Sequence, residues 1–130
     1  MYVNKVGNRL IKIKDEDLFL ALERYNLDNF EVLETINGEK AYRNNANCPF
    51  CKKHFKNDCI GCPFKQFETQ NYDELIYGCE NLVKLLVPNL DLDDIHHGED
   101  EIVFYESEGK HIKENIQSIY DFFSSFKQVD

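Results

Sequence analysis

Two Cys-x-x-Cys pairs, Cys48-Pro49-Phe50-Cys51 and Cys59-Ile60-Gly61-Cys62, stand seven residues apart and constrain this chain more than any other feature. A Cys-x-x-Cys turn presents both sulfurs on one side of a tight loop. Two such turns facing each other give the four-sulfur tetrahedron that Zn²⁺ accepts at Zn–S distances of about 2.3 Å. Cys-Pro-Phe occurs at 48–50 and again at 62–64, which suggests two similar knuckles gripping one ion through Cys48, Cys51, Cys59 and Cys62. The spacer is shorter than the 12 or more residues of common ribbons, so a standard zinc ribbon does not follow. Iron also accepts thiolates, and disulfides need an oxidising compartment. The opening Met1-Tyr2-Val3-Asn4 leads into no apolar signal core. The expectation is therefore a cytoplasmic protein with reduced thiols and bound Zn²⁺, with iron or disulfide use as the alternatives.

A chain of 130 residues, 42% hydrophobic with ten Phe and seven Tyr, suffices for one domain with its own core, so the metal is not needed for bulk. No apolar run approaches the 18 or so residues of a membrane span. The net charge of −9 is unevenly spread: residues 40–67 hold Lys40, Arg43, Lys52, Lys53, Lys56 and Lys65 against Asp58 alone. Residues 85–109 carry eight acids and no Lys or Arg, which disfavours nonspecific binding to a phosphate backbone there. Lysines around a four-thiolate centre offset its negative charge and favour thiolate formation.

In chain order, residues 9–13 alternate as a short strand. Asp15 is placed to cap a helix carrying Leu18, Phe19, Leu22 and Tyr25. Residues 30–36 and 39–43 read as strands joined at Asn37-Gly38, a pair suited to a type I′ hairpin. A metal module at about 44–67 is then inserted. Beyond it, Leu75, Ile76, Cys79, Leu82, Val83 and Leu86 recur at helical spacing, with Asn71 or Asp73 as cap and Pro88 as stop. Cys79 falls on that stripe and reads as a buried core thiol. An acidic loop over 91–101 precedes a strand at 102–105, and a closing helix carries Ile112, Ile116, Ile119, Tyr120, Phe123 and Phe126, its face broadened by Phe122. The expected fold is a small α+β single domain over 1–130, with a β-hairpin, about three helices and an inserted four-cysteine zinc knuckle.

No phosphate-binding Gly loop, nucleophile elbow or His-Glu-x-x-His helix is present. His96-His97 with nearby Asp is the one arrangement suggesting a catalytic divalent ion. Both Cys pairs precede these histidines, an order unlike that of HNH endonucleases. His54 and His111 are isolated.

The motif Cys48-x-x-Cys51 followed by Cys59-x-Gly61-Cys62-Pro63 resembles a cysteine pattern in small uncharacterised proteins of phages and mobile elements. A further cysteine preceded by Gly often follows in that pattern, and Gly78-Cys79 occupies this position. The resemblance covers residues 48–79 and implies an origin, not a chemistry. Small acidic phage proteins often inhibit host nucleic-acid-handling or defence machinery by occupying basic grooves. Such an origin and the separation of charge along the chain together lead to the expectation of a non-enzymatic, anti-CRISPR-like inhibitor acting by protein–protein interaction, with Asp91, Asp93, Asp94, Glu99, Asp100 and Glu101 as the partner-binding surface. The alternative is a nucleic-acid-binding regulator or metal-dependent nuclease. It would use Lys52, Lys53, Lys56 and Lys65, with Phe50, Phe55 and Phe64 stacking on bases.

Overall fold

The computed structural model describes residues 1–54, 56, 59–71, 73–106 and 111–129. The chain opens with a hairpin one strand larger than the alternation at 9–13 suggests. Gly7, at φ 60°, turns β1 (Tyr2–Val6) back onto β2 (Arg9–Ile13), pairing Val6 with Arg9 and Tyr2 with Ile13. Helix α1 (Asp15–Tyr25) follows, with Asp15, Glu16 and Asp17 in its first turn, where the helix dipole favours acids. Lys14 occupies the cap position, and Asp15 lies just inside the helix, 2.6 Å from the N-terminal amine. Leu18, Ala21 and Tyr25 are buried, whereas Phe19 faces out.

The second hairpin joins β3 (Glu31–Glu34) to β4 (Lys40–Asn44) where the sequence places it. Its turn differs from type I′. Gly38 alone has positive φ (78°), and its N–H donates to the Thr35 carbonyl at 3.0 Å, with Thr35 N–H on Glu39 at 2.7 Å. This is a three-residue loop in which Gly supplies the left-handed residue, so Asn37 need not. Strands β7 (Ile95–His97) and β8 (Ile102–Tyr105) complete an antiparallel sheet in the order β3-β4-β8-β7. All four residues of the outermost strand, β3, are exposed.

Residues 49–54 form a short helix, α2 (Pro49–His54), inside the cysteine-rich segment. The apolar stripe over 75–86 is only partly helical. Strands β5 (Thr69–Asn71) and β6 (Glu74–Ile76) make a separate hairpin, and helix α3 spans Gly78–Leu86. Leu75 and Ile76 match helical spacing, but Tyr77 is extended (ψ 153°) and the helix begins after it. Leu82 and Val83 are buried as the stripe requires, while Leu75 is exposed.

Helix α4 (Ile112–Ser124) buries Ile112, Ile116, Ile119 and Phe123. The chain then returns as β9 (Lys127–Gln128) beside β1, giving a second sheet, β2-β1-β9. One core joins both larger sheets and the helices, centred on the fully buried Ile11, Ile13, Leu90, Ile102, Phe104, Ile116 and Ile119. Phe123 stacks on Tyr25 (ring centroids 5.6 Å apart) and meets Phe64 edge-on at 6.1 Å; Phe64 meets Phe50 at 4.8 Å. These rings carry the core into the cysteine segment. The fold is thus α+β, a small single domain with several β-hairpins and four α-helices among the described residues. No helix among those residues is long and apolar enough to cross a membrane.

Candidate metal centre

The two Cys-Pro-Phe copies fold differently: Pro49–His54 is α-helical, with the Lys52 N–H on the Cys48 carbonyl at 3.2 Å, whereas the second copy turns into a 3-10 helix over Lys65–Phe67, with the Lys65 N–H on the Cys62 carbonyl at 3.1 Å. The Cys48 sulfur accepts the Cys51 N–H at 3.5 Å. Pro at the second position removes a donor and fixes φ. Between the knuckles, Cys59 (φ 64°) and Gly61 (φ 92°) are left-handed, and Cys62 N–H closes the turn on the Cys59 carbonyl at 2.9 Å. His54 lies over Gly61, where a Cβ would meet its ring at 3.1 Å.

All five cysteines line one cavity of about 340 Å³, together with Arg24, Tyr25, Phe50, Phe64 and His97. Burial pushes the Cys62 thiol up to about 11 and Cys79 up to about 12. A hydrogen bond between Cys48 and Cys51 lowers the former's pKa, aided by Arg24, and raises the latter's. Cys48 therefore carries the pair's first negative charge. Among the described residues, no three His, Cys, Asp or Glu side chains yet stand at the separations of ligands on one ion. The thiols share a cavity without being drawn onto a single point.

Arg24 is 3% exposed and lines the same cavity. Its guanidinium donates to three carbonyls, Ala46 at 2.7 Å, Gly98 at 2.8 Å and Glu101 at 3.4 Å, while its Nε has no partner among the described residues. No carboxylate pairs with it among those residues. A buried, permanent positive charge without a carboxylate partner is costly, so this cavity favours anionic sulfur and an anionic occupant. Soft donors and a buried cation together fit a metal held by thiolates, whose complex with a divalent ion is negative.

Among the described residues, the histidine pair has no third donor grouped with it for a second ion. Adjacent residues on β7 point to opposite faces. His96 stays at the surface, 3.9 Å from Glu101, while the His97 Nε2 is sealed from solvent without a partner among the described residues. Burial, reinforced by Arg24, depresses His97 to about 3, so its ring is neutral.

The acidic and basic segments, separate in sequence, meet in space. Lys52 pairs with Asp100 at 2.5 Å and approaches Glu99 at 3.8 Å, and Cys48 N–H donates to the Glu99 carbonyl at 2.8 Å. Lys53 pairs with the buried Asp17 at 2.6 Å, and Lys65 with Glu68 at 3.0 Å. Three of the four knuckle lysines are thus engaged within the chain. Phe50 and Phe64 are buried, so neither is presented to bases; Phe55 lies outside the described residues. Of the acids, Asp91 accepts the Asp93 N–H at 3.0 Å in a 3-10 turn over Leu92–Asp94, and Asp91 and Asp93 are exposed.

No family model matches this chain, and no curated protein or solved structure is similar to it at a significant level. The reading of the site rests on its own chemistry. Sequence reasoning assigned neither Arg24 nor His97 to it. Cys79 was placed on an apolar stripe, although it stands in the first turn of α3 and on the cavity wall. The signal for it was present in the repeat: Cys48-Pro-Phe ends on Cys51, but Cys62-Pro-Phe ends on Lys65, so the second knuckle is one thiol short.

Proposed function

We propose that this is a non-enzymatic binding protein whose cysteine-lined cavity holds Zn²⁺ as a structural centre. Five thiols on one cavity beside a buried guanidinium that lacks a carboxylate partner among the described residues are the observation that carries this reading. Thiolate coordination satisfies the buried charge, and the metal fixes the segment 48–62 against the body of the fold. Elemental analysis of protein purified without chelator is expected to find about one equivalent of zinc per chain. Less than half an equivalent of any metal overturns the reading.

The binding surface is the acidic segment around Asp91, Asp93, Asp94, Glu99, Asp100 and Glu101, led by the exposed Asp91 and Asp93 because Lys52 offsets Asp100 and Glu99, and its partner a protein with a basic groove, as for an inhibitor of a nucleic-acid-handling or defence protein. Internal pairing of Lys52, Lys53 and Lys65 supports a protein over a nucleic-acid partner, because little positive field is left for phosphates. Titration with single- and double-stranded DNA and RNA across salt is expected to give no binding. Salt-sensitive binding would instead favour the nucleic-acid reading.

A further inference from the structure

We infer that the metal's four thiolates come from Cys48, Cys51, Cys62 and Cys79, with Cys79 in place of Cys59, so that the ion fastens the first turn of α3 to both knuckles. The inference rests on the zinc reading above. Its first support is the incomplete repeat. Cys48 and Cys62 each open a Cys-Pro-Phe, and the position that corresponds to Cys51 is Lys65. A thiol from elsewhere must complete the second knuckle. Cys79 lines the same cavity as Cys48, Cys51 and Cys62.

The second support is how closely α3 is seated there. Gly78 lies so near the second knuckle that a Cβ would fall 1.7 Å from the Phe64 carbonyl oxygen and 3.2 Å from the Lys65 Cα. One turn along, Asn81 Nδ2 donates to the Phe67 carbonyl at 2.7 Å and to Thr69 Oγ1 at 3.0 Å. A missing side chain and a bidentate amide hold the helix start against the knuckle, and Cys79 lies between them, next to Gly78. Cys59, by contrast, precedes the second Cys-Pro-Phe turn in a left-handed backbone, outside the repeat.

The third support is charge. Four thiolates on one divalent ion leave a complex of charge −2, beside the guanidinium of Arg24. His97, neutral and with a sealed Nε2, lines the same cavity and is available to hydrogen-bond a coordinated sulfur.

The test uses the full chain as parent, Cys59→Ser, Cys79→Ser and Cys79→His, each loaded with Zn²⁺ for stoichiometry and with Co²⁺ for absorption spectra. Cys59→Ser is expected to keep the parent's stoichiometry and its Co²⁺ spectrum. Cys79→Ser is expected to lose about a quarter of the thiolate-to-cobalt charge-transfer intensity, one ligand in four, and to yield zinc to a competing chelator at least about tenfold more readily. Cys79→His supplies a replacement ligand, and a shifted cobalt band in a bound, folded protein separates ligation from a folding role. Loss of metal in Cys59→Ser with an unchanged Cys79→Ser spectrum overturns the assignment while leaving the zinc reading intact. A parent that takes up neither ion overturns both.

Discussion

Replacing Gly78 by Ala sets two effects of opposite sign against each other. Gly78 is the first residue of α3 and its φ lies outside the left-handed region, so helix propensity alone favours Ala by up to about 1 kcal/mol. Against this, the new Cβ would stand 1.7 Å from the Phe64 oxygen, where contacts below 3.0 Å do not occur, so α3 and the knuckle must part by about 1.3 Å. Overpacking costs about 1–3 kcal/mol. Here both sides of the clash are backbone and no flexible side chain can give way, so the upper end applies. Steric cost wins, and a net loss of about 2 kcal/mol is expected. For a domain of this size that lowers Tm by roughly 6–10 °C. Metal–ligand distances tolerate only about 0.2 Å, so the same displacement removes Cys79 from the ligand set and weakens zinc binding by at least about tenfold. Calorimetry in excess chelator reads the first effect, and competition with a zinc indicator the second. A Gly78→Ala protein as stable as the parent in chelator would refute the steric argument. One that is destabilised but binds zinc unchanged would refute the link to Cys79.

Three further outcomes follow from the geometry. His97 is held neutral by burial, with its pKa depressed to about 3 against 6.5, so the unfolded chain binds the extra proton first and stability is lost as pH falls through this window. Between pH 6.5 and 5, urea melts of the metal-free parent should lose about 1.5 kcal/mol more than those of His97→Asn, and equal slopes would show that the ring is not sequestered. Asn44 Nδ2 donates to the last carbonyls of α1, Glu23 at 3.1 Å and Arg24 at 2.7 Å, so Asn44→Ala should cost about 1–3 kcal/mol in the same melts, and a neutral result would mean water replaces it without loss. Phe104 is fully buried at the centre of the four-stranded sheet, and Phe104→Ala should cost about 3–5 kcal/mol; a loss below about 1 kcal/mol would place the core elsewhere.

Local signals were readable where sequence and tertiary packing agree. Asn37-Gly38 marked the β3–β4 turn, and the spacing from Ile112 to Phe123 marked α4, because each is specified within a few residues. Gly7-Asn8 carried an equally usable hairpin signal that adds β1 to the alternation at 9–13. The stripe over 75–86 misled because periodicity cannot register the seat of Gly78 on Phe64, a contact between segments far apart in sequence. The two cysteine pairs were legible as one cluster, and their sulfurs do line a single cavity. Arg24 was not: nothing in an amphipathic helix distinguishes an arginine at its surface from one clamped by carbonyls of Ala46, Gly98 and Glu101. Nor does composition reveal that Lys52 and Asp100 neutralise each other across the knuckle boundary.

Among the described residues, strand β3 leaves one row of backbone donors and acceptors unpaired along the edge of the four-stranded sheet, with Val32 and Leu33 on it and Ile36 fully exposed at the adjoining turn. Such an edge is a template for adding another strand. Here Glu34 flanks it, while Glu31 is paired with Arg43 of β4, and a second copy approaching edge to edge would bring the Glu34 carboxylates together. That repulsion is weakened by salt. The chain therefore carries a self-association hazard that should surface at high salt, as light scattering that rises with protein concentration. Glu34→Gln should bring the same scattering to low salt, setting a practical limit on how this protein can be concentrated and stored.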